Sequence, residues 1–306
     1  MRDAIFSELA ARFAADPRVV FITADLGYKL YDPLVDIDAN RVINAGLRES
    51  AMVGYAAGLA LAGMRPFVYS IAPFTTLRCL EQIKLDLCYH DAPVVVVGVG
   101  GGFAYGANGP THHGVDDLAA LGGLPNLRLW TPGDPNEVRA CVRAAAGIGG
   151  PAYLRLGRNR EPLLRAPEDL GAIDAPAVLA EGNALALVSC GVILGEVLAA
   201  AEQLRGEGLA PRVVHLPTLA PFPEAALAAA VGGLPVVTVE EHVSVGGLAD
   251  RAARMLARRG MPNRFDALTI PAAFPKQCMD RPASLAWAGI DAAAITAAGR
   301  RCAQGA

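Results

Sequence analysis

The sequence carries no surplus of either charge: 27 Lys and Arg stand against 30 Asp and Glu, a formal net charge of −3, with no acidic or basic tail. That balance gives no electrostatic handle for nucleic acid or for an anionic membrane surface. There is no Cys-x-x-Cys pair. The six cysteines, at 79, 88, 141, 190, 278 and 302, have no ligand spacing and read as small core residues of a reduced compartment. No apolar run is long enough to cross a bilayer; the most apolar, "ALALVSCGVILG" (184–195), stops at Glu196. The first residues, "MRDAIFSELAARFAADP", lack the unbroken apolar stretch of a secretory signal and instead place Ile5, Leu9 and Phe13 on one helical face. A cytoplasmic protein with neither nucleic acid nor membrane as partner is expected. Gly-Lys-Ser/Thr is also missing, which excludes a P-loop.

What is present is apolar and alternating. With 306 residues, 53% hydrophobic and 19% charged, the chain can build two buried cores. "RVVFIT" (18–23), "PFVYS" (66–70), "PVVVVGV" (93–99), "LRLW" (127–130) and "AYLRL" (152–156) read as strands. "ESAMVGYAAGLALAG" (49–63), "LRCLEQIKLDLCYH" (77–90) and "DPNEVRACVRAAA" (134–146) between them have helical spacing. The last carries its own start signal, with Asp134 as N-cap, Pro135 at N1 and Glu137 at N3. Apolar strands alternating with helices imply parallel sheets covered on both faces. The expectation is an α/β protein of two doubly wound, three-layer domains. The first spans 1–165, a linker rich in Pro, Gly and acidic residues spans 166–182, and a smaller second domain spans 183–306.

The segment "GVGGGFAYGANGPTHHGVDD" (98–117) spends seven glycines in twenty residues directly after a strand. It is not a dinucleotide fingerprint, because Phe103 or Tyr105 stands where the third glycine belongs and Asn108-Gly109-Pro110 signals a turn. It is a long loop at the carboxyl end of a strand, where open α/β sheets place ligands. His112 and His113 at its far end are either solvated loop residues or proton-handling groups. Glu49 opens an otherwise uncharged helix with Gly54, Gly58 and five alanines. It either complements the helix dipole or is a buried carboxylate for proton traffic. Ile71, Phe74, Leu77 and Leu80 recur at helical spacing, which by default means core, with ring stacking by Phe74 conditional on a planar cofactor. Arg155, Arg158 and Arg160 follow a strand and suit a carboxylate or phosphate as well as surface ion pairs. Glu240, Glu241 and His242 form one cluster in the second domain, read as an interface or strand-end network.

Taken in order, "ADL" (24–26), "GLRESAMVGYAAGLAL", "RCLEQI", "NGPTHHGVDDLAAL", "LPNLRLWTPGDPNEV", "LRLGRN" and "EEHVSVGGL" resemble the C-terminal half of transketolase-like thiamine diphosphate enzymes. That half comprises a pyrimidine-binding domain and a transketolase C-terminal domain, and the pattern looks most like the β subunit of a split transketolase. The resemblance implies that Glu49 hydrogen-bonds N1′ of the aminopyrimidine and so lets the cofactor activate its thiazolium carbon. It makes Phe74 one of the aromatics around the pyrimidine, with Ile71 and Leu77 standing where transketolases often have rings. It gives His112 contact with the donor carbonyl and hydroxyls, with His113 beside it. Arg158, and more weakly Arg2, fall where a sugar phosphate is held; Lys29 lies near the position of a phosphate-binding serine.

Two departures bear on the substrate. Gly100 replaces a histidine and Asn108 replaces an aspartate that reads a substrate hydroxyl. A third bears on assembly: the "GDG…N" segment that holds diphosphate and metal in this family is missing, and "PGDPNE" is a helix cap. No metal ligands are therefore expected in this chain. A companion subunit equivalent to the N-terminal half should supply them and bind Mg²⁺ or Ca²⁺, with thiamine diphosphate shared between subunits of an α₂β₂ assembly. The expected activity is transfer of a two-carbon ketol unit from a ketose or its phosphate to an aldehyde. The alternatives are a decarboxylating relative, like deoxyxylulose-phosphate synthase or a 2-oxo acid dehydrogenase β subunit, and a non-catalytic partner that keeps the fold.

Overall fold

The five β-branched or aromatic runs read as strands, joined by the unforeseen Val42–Asn44, form the parallel strands of one sheet. The structure, a computed structural model, describes residues 1–158 and 160–304. Its strands in chain order are β1 (Val19–Thr23), β2 (Val42–Asn44), β3 (Arg65–Ile71), β4 (Val95–Val99), β5 (Arg128–Trp130), β6 (Ala152–Leu156), β7 (Ala177–Ala180), β8 (Leu185–Ser189), β9 (Pro211–His215), β10 (Thr218–Ala220), β11 (Val236–Val243) and β12 (Phe265–Ile270). The first sheet has the order β10-β5-β6-β4-β3-β1-β2, parallel except for β10. The second has the order β12-β11-β8-β9-β7, parallel except for the edge strand β7. Two parallel-dominated α/β sheets is the expected fold class.

Burial on both faces explains why the central strands are continuously apolar. Val95, Val96, Val97 and Val99 are each at most 4% exposed, and each such side chain removed from water is worth roughly 1.5–3 kcal/mol. The helix Arg2–Ala15 lays Ile5, Leu9 and Phe13 on one face of the sheet, while Met52, Val53 and Ala56 of the helix Glu49–Leu61 belong to the core on the other. Asp134 caps the helix Pro135–Ala144 as the sequence predicts, its Oδ1 accepting from Glu137 N at 2.8 Å.

The segment 77–90 departs from the helix its spacing predicts. It runs as a 3-10 turn (Leu77–Cys79), a short α turn (Leu80–Gln82) and a π-helical turn (Ile83–Cys88). The break throws Leu77 out of the core to 42% exposure, so Ile71, Phe74, Leu77 and Leu80 do not share one buried face. The domain border is also more intimate than a linker implies. β7 lies inside 166–182 and pairs with β9, while β10, from the second half of the chain, adds an antiparallel edge to the first sheet.

A buried polar seam joins the halves. Arg155 donates from Nε to Asp117 Oδ2 (2.9 Å) and from Nη2 to Gly114 O (2.6 Å) and Glu241 O (3.0 Å). Glu241 accepts the Phe103 amide at 2.7 Å and pairs with Arg281 at 2.8 Å. A Cβ at Gly102 would overlap the Glu241 side chain, and φ there is +64°, so glycine is what admits this clamp. The cluster at Glu240, Glu241 and His242 is thus a strand-end network between domains. Among the described residues no helix is long and apolar enough to cross a membrane.

Candidate active site

The chain adds β2 on one side of β1 and then crosses back to add β3 on the other, which makes the crevice between β1 and β3 a topological switch point. The candidate residues emerge from the carboxyl ends of the parallel strands around it. Lys29 follows β1, Glu49 follows β2, Phe74 follows β3, Asn108 and His112 follow β4, and Arg158 follows β6.

Four of them lie in one continuous row. Glu49, the first residue of its helix, is 2% exposed, and its Oε2 accepts from Arg78 Nη1 at 2.6 Å. The Arg78 guanidinium lies 4.3 Å from the centroid of the Phe74 ring. Phe74 meets His112 edge-on at 5.3 Å between centroids, and His112 meets Tyr105 at 5.7 Å. Tyr105 in turn carries the Arg158 guanidinium over its face at 4.3 Å. Glu49, Phe74, His112 and Arg158 are thereby linked through Arg78 and Tyr105. Neither linker carries a signal of its own in the sequence, because a lone Arg or Tyr on a broken helix or loop has no diagnostic spacing.

Burial, then the positive charge of Arg158 and then His113, push the His112 imidazole below its usual value, so it is neutral at pH 7. Thr111 Oγ1 lies 2.9 Å from its Nδ1. His113 does not join the row. It is 5% exposed, donates from Nε2 to Gly106 O at 3.0 Å, and packs edge-on against Phe103. Ile71 is buried at the end of β3, whereas Asn108 and Lys29 are exposed on neighbouring loops and Arg2 is half-buried. Arg2 lies close enough to Tyr105 and Tyr69 to act on both phenols electrostatically. Two hollows that share Leu77 are lined by Arg78 of the row or by chain neighbours of Phe74 and His112. One, of about 460 Å³, is framed by Pro73, Thr111, Val243 and Phe274; the other, of about 690 Å³, opens beside Ser50, Arg78 and Leu85. Among the described residues no group of three or more His, Cys, Asp or Glu could hold a metal ion.

Residues 1–162 match the family profile described as "Transketolase, pyrimidine binding domain", and residues 176–295 match "Transketolase, C-terminal domain". The chain belongs to the transketolase family. It is 35% identical to a subunit of the apulose-4-phosphate transketolase of Actinobacillus succinogenes, over 75% of this chain and 74% of that one. It is 31% identical to a 6-deoxy-6-sulfo-D-fructose transketolase subunit of a Clostridium species, over 84% and 80% of the two chains. A solved split gene transketolase, described as an inactive beta4 tetramer, superposes with a TM-score of 0.88 at 31% identity, covering 99% of this chain and 97% of that one. Transketolase family membership implies the use of thiamine diphosphate and makes this chain a transferase-type enzyme subunit.

Proposed function

We propose that this chain is the aminopyrimidine-binding subunit of a thiamine diphosphate-dependent enzyme that moves a two-carbon ketol unit from a ketose or its phosphate to an aldehyde. The observation that carries this is Glu49: a carboxylate 2% exposed at the first turn of an apolar helix, at one end of a row that reaches His112. The residues present fit the group. The carboxyl is bonded to Arg78, which lines the open hollow, and Phe74 offers a half-buried ring against that guanidinium. When bound, thiamine diphosphate supplies an electron sink for breaking and making the C–C bond.

This chain's part is to place and protonate. Glu49 holds a proton at N1′ of the aminopyrimidine, while Phe74, Ile71 and Leu77 flank the ring. His112, neutral at pH 7, accepts or returns a proton at the donor's hydroxyl or carbonyl oxygen. Arg158 with Arg2 holds the far end of the sugar, and Asn108, His113 and Lys29 shape the surrounding loops. A companion subunit equivalent to the N-terminal half supplies the diphosphate site and Mg²⁺ or Ca²⁺, in an α₂β₂ assembly of the cytoplasm. The named substrates of the two relatives, a sugar phosphate and a sulfonated sugar, support a donor or acceptor with an anionic end. The test is reconstitution with the companion, thiamine diphosphate and Mg²⁺, offering ketoses with an aldehyde acceptor, or pyruvate. Ketose turnover abolished by Glu49→Gln supports the reading. Pyruvate decarboxylation alone, or full activity with Glu49→Ala, overturns it.

A further inference from the structure

The glycines at 98 and 100–102 leave, on sequence alone, room for a bulky substrate. The structure fills part of that room from within. A Cβ at Gly100, whose φ is +90°, would overlap the ring of Tyr105, so the phenol stands where a side chain at 100 would go. The backbone that carries it is fixed at both ends of a short arc. Glu241 holds the Phe103 amide at 2.7 Å, and the Tyr105 carbonyl accepts from Asn108 N at 2.7 Å. The ring is therefore aimed before any ligand arrives.

That one ring touches the two polar groups at this end of the row, His112 at 5.7 Å and the Arg158 guanidinium at 4.3 Å. A guanidinium held over an aromatic face keeps N–H donors for an oxyanion. No ion pair among the described residues takes Arg158. Arg2 adds a second positive charge close to the phenol.

We propose that Tyr105 is a specificity-determining residue, which closes the space over Gly100 and holds the Arg158 guanidinium over its ring, so that this corner selects a donor whose far end carries a tetrahedral oxyanion such as a phosphate or sulfonate. The proposal rests on the transketolase-like reading above. It assigns the selection to the aromatic face and not to the hydroxyl.

The test uses the full chain, as wild type, Tyr105→Phe and Tyr105→Leu. Inorganic phosphate is titrated at constant ionic strength while the His112 ring resonances are followed by NMR. The same three proteins, assembled with the companion subunit, are assayed with matched phosphorylated and neutral ketose donors. Wild type and Tyr105→Phe should bind phosphate alike, and Tyr105→Leu at least fivefold more weakly. In turnover, Tyr105→Leu should raise KM for the phosphorylated donor at least fivefold more than KM for the neutral donor. Equal phosphate binding by wild type and Tyr105→Leu, or an equal loss with both donors, overturns the proposal. If the wild-type assembly turns over no ketose, the functional reading fails, and the phosphate titration still decides the role of Tyr105.

Discussion

The strand ends of the first sheet and the seam between the two domains are both crowded with titratable side chains, and they differ in how those groups are closed. In the seam the charged groups are paired inside, with only Asp117 Oδ1 left without a hydrogen bond among their described side-chain atoms. Asp117, Arg155, Glu241 and His242 are each at most 4% exposed and are bonded to one another or to backbone. Ser189, His215 and Glu137 stand in hydrogen-bond sequence at 3.2 and 3.0 Å, the residue types of a hydrolytic triad, yet all three have no solvent exposure and Glu137 also binds Arg165. In the row, by contrast, only Glu49 is buried: its partner Arg78 is exposed, and Phe74, His112, Tyr105 and Arg158 are all half-buried. Residue type does not separate a site from a strut. Closure does.

Breaking one member of each region should give opposite signatures. Glu49→Gln should cost about 10²–10⁴ in kcat of the assembled enzyme, with a thermal midpoint near wild type, because its single salt-bridge partner is half exposed. A large loss of stability without loss of specific activity would move Glu49 into the structural class. Arg155→Ala should do the reverse, destabilising the fold by about 3–5 kcal/mol in urea unfolding, because it strands the Asp117 carboxylate in a site with no solvent exposure. Stability unchanged by that substitution would show the seam to be dispensable.

A smaller effect sharpens the contrast through pH. Burial pushes His242 down to about 4, against the pull of Asp117, so the unfolded chain takes up a proton that the folded chain refuses. Stability from this group is complete above about pH 6.5 and is lost as pH falls towards 4, a difference of roughly 3 kcal/mol. Burial raises Glu240 to about 7, and with folded pKa above the unfolded one its contribution runs the other way, weakening as pH rises from 4.5 to 7. His242→Gln should therefore remove the acid-side loss and leave the opposing trend of Glu240. An unchanged pH profile of urea midpoints would mean that His242 is not sealed.

The strands, the capped helix at 135–144 and the two-sheet plan were legible because apolar periodicity and caps are local signals. The π-helical turn at Ile83–Cys88 was not, since its residues keep helical spacing while the hydrogen-bond pattern shifts. Nor was β10, which joins the first sheet from the far half of the chain through pairing that local pattern does not encode. In the site, Glu49 and His112 were legible from motif and resemblance. His113 was paired with its neighbour in sequence, but the chain turns the two rings apart, one to the row and one to Gly106 O. Arg78 and Tyr105 became visible only when the loops were brought side by side.

The central claim is that this chain holds one half of a shared cofactor site, anchored by Glu49. Calorimetric titration of thiamine diphosphate with Mg²⁺ into the chain alone, and into its mixture with the companion subunit, tests it most directly. The account predicts binding in the mixture only, weakened by Glu49→Ala. Equal, tight binding to the isolated chain would contradict it.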